Sequence, residues 1–248
     1  MSMNQILIIE EEEEDSSKIV LEQPIKKMVV TEDLGKIFEM AICLLYEIPY
    51  VGKYKYSMSK AEEIKTKIEN LKLLFPYSLR HTAEKGNQYD FTGVEMPEKK
   101  LSAKSTKKDG KVCPQVIGQP SKKKFCQYFD IDQTLTLEQI KEYIQANIQN
   151  LLKVYFENTF DCSVVYYNEK SSLLWFINKI QDVAWENYAF EFSHVQNNKK
   201  WNESTTIKIN NISIGEFQVH NHRNCIKFRW CFENLVNMFS ECFVINII

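Results

Sequence analysis

No Cys-x-x-Cys pair occurs in this chain, although it carries seven cysteines, an odd number. Its four histidines, at 81, 194, 220 and 222, share no zinc-site spacing with those cysteines. The pattern excludes a zinc ribbon and a disulfide scaffold, and it implies free, mostly buried thiols in a reducing compartment. No stretch approaches the roughly 20 apolar residues of a membrane span. The opening MSMNQILIIEEEEED puts acid directly after a short apolar run, which is not the pattern of a signal peptide. The expectation is a cytoplasmic protein with no membrane contact. Internal repeats and long linkers are also lacking. Charge of one sign is lacking too: 31 Lys and Arg stand against 33 Asp and Glu, so the net charge of −2 gives no whole-molecule attraction for nucleic acid.

What is present is a substantial core former. Apolar residues make up 44% of the 248, with 15 Phe and 12 Tyr, enough for one large domain or a catalytic core with an appended recognition region. The acidity is concentrated in the run Glu10 to Asp15, read as a solvated loop or helix start, whereas Lys99 to Lys124 is rich in lysine. Without the acidic run the body is net basic, compatible with a phosphate-binding surface.

Thr31-Glu32-Asp33 caps a helix predicted to run to Glu47, with Pro49 closing it. Leu34, Ile37, Phe38, Ala41, Ile42 and Leu45 form its apolar stripe, and Lys36, Glu39, Cys43 and Glu47 share the opposite face. A second helix is expected from Ser59 to Leu74, stopped by Pro76. The stretch RHTAEKGNQYDFTGVEMPEKKLSAKST then reads as paired strands, Tyr89 to Val94 and Leu101 to Thr106. KKDGK is a turn, and Pro114 to Gln119 begins a helix or crossover. Helices are expected over Thr136 to Tyr155 and Leu173 to Ala184, separated by a strand at Cys162 to Tyr167. Strands Thr205 to Asn210 and Ser213 to His220 flank an Asn-rich hairpin turn. Cys225 to Trp230 makes a third strand and Phe232 to Phe239 a closing helix. The class is α/β or α+β with a mixed sheet flanked by helices. It divides into an N-terminal acidic segment (1–30), a core (31–190) and a C-terminal β-rich region (191–248).

Asp90 opens one strand, and Leu101-Ser102-Ala103-Lys104 follows on the next. Alternation puts Ser102 and Lys104 on one face, Leu101 and Ala103 on the other. A carboxylate and a lysine on adjacent strands suit metal-assisted phosphodiester cleavage. The carboxylate holds a hard divalent cation, and the ammonium orients the attacking water and offsets phosphate charge. The Ala103 carbonyl is a further candidate oxygen ligand.

Over roughly residues 33 to 125 the chain resembles the PD-(D/E)XK nuclease superfamily, whose signature is an acid, a gap, then acid-x-Lys on the next strand. Asp90 matches the first acid, preceded by Tyr89 rather than proline, and Lys104 matches the lysine. Ser102 departs from the pattern by standing at the second acid position, in a Ser-x-Lys variant seen in some type II restriction enzymes. Glu39, in GKIFEMAIC, matches the family's helix glutamate. The resemblance implies a restriction-endonuclease-like fold, Mg²⁺ held by Asp90, Glu39 and Ala103, hydrolysis of double-stranded DNA at specific sequences, and a homodimer. Ile214-Gly215-Glu216-Phe217-Gln218 is a competing catalytic strand in E-x-Q form, but Glu203 is its only nearby acid.

The same C-terminal region reads better as the base-reading element. Gln218, His220, Asn221, His222, Arg223, Lys227 and Arg229 alternate along two strands, with Trp201 and Trp230 nearby. Gln, Asn and Arg can pair with base edges, and a β-ribbon fits the major groove. Lys107 and Gln119 add DNA contacts from the segment KKDGKVCPQVIGQPSKKKF. The histidines read as hydrogen-bonding groups rather than metal ligands, since no acid or cysteine completes a set. Two rival readings remain. One is a nucleic-acid-binding protein of the same fold that has lost catalysis, motivated by Ser102. The other is an interaction protein with no nucleic-acid role, motivated by the near-zero net charge.

Overall fold

A computed structural model describes residues 33–52, 56–83, 87–108, 110–220 and 222–248. The acidic segment 1–30, Thr31, Glu32 and Asn221 therefore lie outside the described residues. Among the described residues, no helix is long and apolar enough to cross a membrane. All seven cysteines are free thiols.

The first element among the described residues is α1 (Leu34–Tyr46), capped by the Asp33 carboxylate, which accepts from the Gly35 and Lys36 N–H groups. Helices α2 (Met58–Lys67) and α3 (Leu71–Leu74) follow, then strands β1 (Leu79–His81), β2 (Phe91–Gly93), β3 (Lys100–Thr106) and the two-residue β4 (Lys111–Val112). Three helices come next: α4 (Lys122–Tyr128), α5 (Leu137–Ala146) and α6 (Ile148–Thr159). Strands β5 (Ser163–Asn168) and β6 (Leu173–Lys179) form a hairpin. After them come β7 (Glu191–Phe192), α7 (Ser193–Gln196), β8 (Ser204–Ile209), β9 (Ile212–Val219), β10 (Ile226–Cys231), α8 (Phe232–Met238) and β11 (Phe243–Ile247).

These strands build two sheets: a mixed six-stranded one in the order β1-β2-β3-β5-β6-β11, and a five-stranded one in the order β4-β10-β9-β8-β7. Among the described residues, only the β3–β5 pair of the first sheet is parallel; the long connection between them carries α4 to α6. The second sheet is antiparallel throughout. The expected mixed sheet with helices and the β-rich C-terminal region are both present. Asn210 and Asn211, with φ of 49° and 64°, make the tight hairpin turn read from their identity.

Two apolar clusters flank the first sheet. Val165, Tyr167, Leu174 and Phe176 face α1 and α2, whereas Val164, Tyr166, Trp175 and Ile177 face the helices and second sheet on the other side. Strands β5 and β6 are thus buried on both faces. This explains why Leu173 to Ala184, expected as a helix, is strand β6 followed by irregular chain. A continuous apolar run carries no period, and the β-branched and aromatic residues of LLWFINK decide for the strand. The helix expected over Thr136 to Tyr155 is two helices broken at Asn147, whose side chain donates to the Tyr143 carbonyl at 2.9 Å.

Strands cross the expected divisions of the chain. β4 leaves the first sheet's neighbourhood to pair with β10, and β11 returns to the first sheet beside β6. Within the cluster shared by the helices and the second sheet, Trp230 is wholly buried and its indole N–H donates to Thr159 Oγ1 at 2.9 Å. Thr159→Val keeps the shape and orphans that donor. It should cost about 1–3 kcal/mol, measured as a lower urea midpoint at unchanged slope.

Candidate active site

Antiparallel pairing of β2 with β3 covers only Phe91↔Leu101 and Thr92↔Lys100, so the strands part at Asp90. The Asp90 side chain takes over there. Its Oδ2 accepts from the Ala103 N–H at 2.8 Å and the Ser102 hydroxyl at 3.1 Å. Lys104 Nζ lies 3.9 Å from the same oxygen, and both side chains are buried, Asp90 at 2% and Lys104 at 6% exposure. The expected alternation is present: Leu101 is in the apolar cluster and Ala103 packs against it, while Ser102 and Lys104 take the other face. Thr106 O accepts from Glu169 N, so the even residues of β3 bond toward β5. Ala103 points both its N–H and its carbonyl to the opposite side, toward Asp90.

The sequence puts Glu39 on a less apolar helix face. The middle of that face is turned inward, Glu39 being 6% exposed and Cys43 buried, whereas Glu47 at the helix end is exposed. Lys36 Nζ donates to both Glu39 oxygens at 2.7 and 2.9 Å, and His81 Nε2 lies 3.2 Å from Oε2. His81 Nδ1 accepts the Val51 N–H at 3.1 Å, so its proton sits on Nε2 and is given to Glu39. Tyr50 stacks on the imidazole with ring centroids 4.9 Å apart. Burial alone would lower the Lys36 ammonium, yet Glu39, with Asp90 and Asp33 behind it, holds it above the ordinary lysine value. Lys36 therefore stands in the field of both carboxylates.

The segment after β4 completes the site. Gln115 bridges the pair, its Oε1 accepting from Lys104 Nζ at 2.8 Å and its Nε2 donating to Asp90 Oδ1 at 3.3 Å. Its neighbour Val116 has φ of 63°, a left-handed conformation that a β-branched residue rarely adopts. Pro114 to Gln119, expected to begin a helix or crossover, is instead a turn that runs beside β10: Gly118 and Pro120 carbonyls accept from Phe228 and Ile226 N–H. A cleft of about 520 Å³ opens here, lined by Lys36, Asn87, Gln115, Gln119, Ser121 and Lys124 among others. Cys162 lies close to Asp90 and Lys104, and burial, with Asp161 second, pushes its thiol well above the ordinary value.

The second sheet presents a polar face. Cross-strand register sets Lys227 beside Gln218 and Arg229 beside Glu216. Glu216, the competing acid, is buried and takes donors from Lys111, Arg229 and Gln218. Burial would raise its carboxyl, but those three donors outweigh it and hold Glu216 below the usual carboxylate value. Lys107, Gln119 and Arg223 are exposed, Lys227 is half-buried, and His220 and His222 lie with Glu203 at the end of β9. An acid does complete the histidine pair, contrary to the expectation from sequence, because β8 brings Glu203 alongside.

Sequence reading missed Lys36, His81 and Gln115. Lys36 had a signal, its i,i+3 spacing from Glu39. His81 and Gln115 had none, since strand pairing and a turn bring them in.

The chain matches no protein-family model. No solved structure matches it either. Over 222 residues, 89% of the chain, it is 44% identical to the type II restriction enzyme CviAII of Paramecium bursaria Chlorella virus 1. The chain spans 64% of the length of that curated relative.

Glu216→Gln removes the charge that its three donors face, at a cost of about 1–3 kcal/mol near neutrality. Because the folded carboxyl sits below its ordinary value of 4.5, this contribution is complete above that pH and fades as pH falls through the lowered value. Urea midpoints of the two proteins should therefore converge in acid. A gap that stays constant there would exclude an ionic role for Glu216.

Proposed function

We propose that this chain is a sequence-specific endonuclease that hydrolyses phosphodiester bonds of double-stranded DNA with Mg²⁺, its active site formed by Asp90, Lys104 and Glu39. The observation that carries the reading is the buried Asp90–Lys104 pair, 3.9 Å apart, bridged by Gln115, which itself lines the neighbouring cleft. Burying two charges is costly unless they are paired and hydrogen-bonded, as these are, and such pairs in clefts are candidates for chemistry. The similarity to a type II restriction enzyme supports the same reading.

The donor set fits a hard cation. Asp90, Glu39 and the Ala103 carbonyl are all oxygen ligands, the kind Mg²⁺ takes. When bound, the ion supplies positive charge against the phosphate and the leaving oxygen. Lys104 positions the attacking water and offsets charge on the phosphate, with Gln115 holding its ammonium in place. Ser102 acts as a donor to Asp90 rather than as a second acid. In this reading the arrangement is a variant of the PD-(D/E)XK site, with Glu39 supplying the carboxylate that Ser102 does not.

Lys227, Arg229 and Gln218 of the second sheet, Arg223 of the turn between β9 and β10, Gln119 of the cleft and the exposed Lys107 after β3 serve DNA contact. A homodimer would set one such site against each strand of a duplex.

Digestion of long phage DNA with Mg²⁺ should give discrete bands, and chelator should leave the DNA intact. Asp90→Asn and Lys104→Met should each lower cleavage by about 100- to 10,000-fold, with DNA retention on gels kept and a lower urea midpoint, because each leaves its partner's charge buried. Full activity in either variant would overturn the site. Ser102 at the second acid position favours one rival, a DNA-binding protein without catalysis. Sequence-selective retention with intact DNA in Mg²⁺ and Mn²⁺ would establish that instead.

A further inference from the structure

Outside the Asp90 site, Glu203, His220 and His222 converge at the turn between β9 and β10. Their potential ligand atoms all lie within 4.8 Å of one another. His220 Nδ1 stands 3.3 Å from Glu203 Oε2 and His222 Nδ1 stands 3.7 Å from Oε1, with the two imidazole centroids 5.1 Å apart. Backbone pairing sets this up: Ser204 is opposite Gln218, and Val219 N donates to the Glu203 carbonyl at 2.8 Å. Glu203 is thereby held beside the residue that ends β9.

One feature marks these groups as more than a surface ion pair. His220 Nδ1 is buried and, although Glu203 Oε2 stands 3.3 Å away, their geometry makes no hydrogen bond. An orphaned buried nitrogen costs stability unless something satisfies it. Here a carboxylate and a second imidazole face the same point.

We propose that Glu203, His220 and His222 bind a borderline divalent transition-metal ion of the Zn²⁺ class, pinning the β9–β10 turn to the start of β8. Two imidazoles and a carboxylate suit Zn²⁺ and its neighbours, which take three protein ligands and one water. Mg²⁺, which requires oxygen ligands, does not compete for two nitrogens. The ion satisfies His220 and fixes the turn that carries Arg223. This site stands independently of the nuclease reading.

The test uses the full chain, stripped with chelator and held in excess Mg²⁺, and titrated separately with Co²⁺ and Zn²⁺. One equivalent of Co²⁺ should bind with visible ligand-field absorption and without the intense ultraviolet band of thiolate ligation. Zn²⁺ should displace it and raise the melting temperature. His222→Ala, at an exposed position, and Glu203→Gln should each lose the absorption and the shift while the metal-free proteins melt like the parent. Thiolate absorption, or binding undiminished in both variants, would overturn the proposal by assigning the ion to the cysteines. No binding at all would overturn it as well.

Discussion

The carboxylate of Asp90 does the work of a missing strand. Where β2 stops pairing, it takes the Ala103 N–H that β2 would otherwise have taken, and binds the Ser102 hydroxyl and faces Lys104 at the same oxygen. A gap between two strands would leave buried backbone donors unpaired. A side chain that closes the gap leaves the neighbouring carbonyl pointing into it. The geometry around the site follows from that substitution: the opening of the hairpin, the placement of Lys104, and the docking of Gln115 across both.

How far this could be read from sequence depended on whether the signal was local. Helix α1, the β2–β3 pair and the β8–β9–β10 meander follow from caps, alternation and the Asn210-Asn211 turn, each confined to a few residues. Strand β6 carries no such local signal, because its two faces are equally buried, which erases the period that separates strand from helix. Asp90, Lys104 and Ser102 came together as the spacing implied. Gln115, His81 and Glu203 depended on pairing between distant segments, about which a single sequence carries no direct information.

The two sheets are joined by more than contact. The segment that leaves β3 pairs with β10 as β4, and its continuation returns carbonyls to Phe228 and Ile226 before turning into α4. Gln115 lies in the middle of this stretch, bonded to Asp90 and Lys104. A shift in β10 therefore reaches the buried pair through one short length of backbone.

Glu216 changes the meaning of the polar face it occupies. Its oxygens already hold Lys111, Gln218 and the Arg229 Nη2, so an anion arriving there competes with an internal partner for those donors. Occupying Arg229 is an exchange of one negative partner for another, and its net gain is the difference between the two. Weak, poorly placed phosphates gain almost nothing from such an exchange, whereas a ligand of matching shape can gain at several donors at once. An internal carboxylate of this kind acts as a threshold, lowering the response to every anion while sharpening the contrast between them.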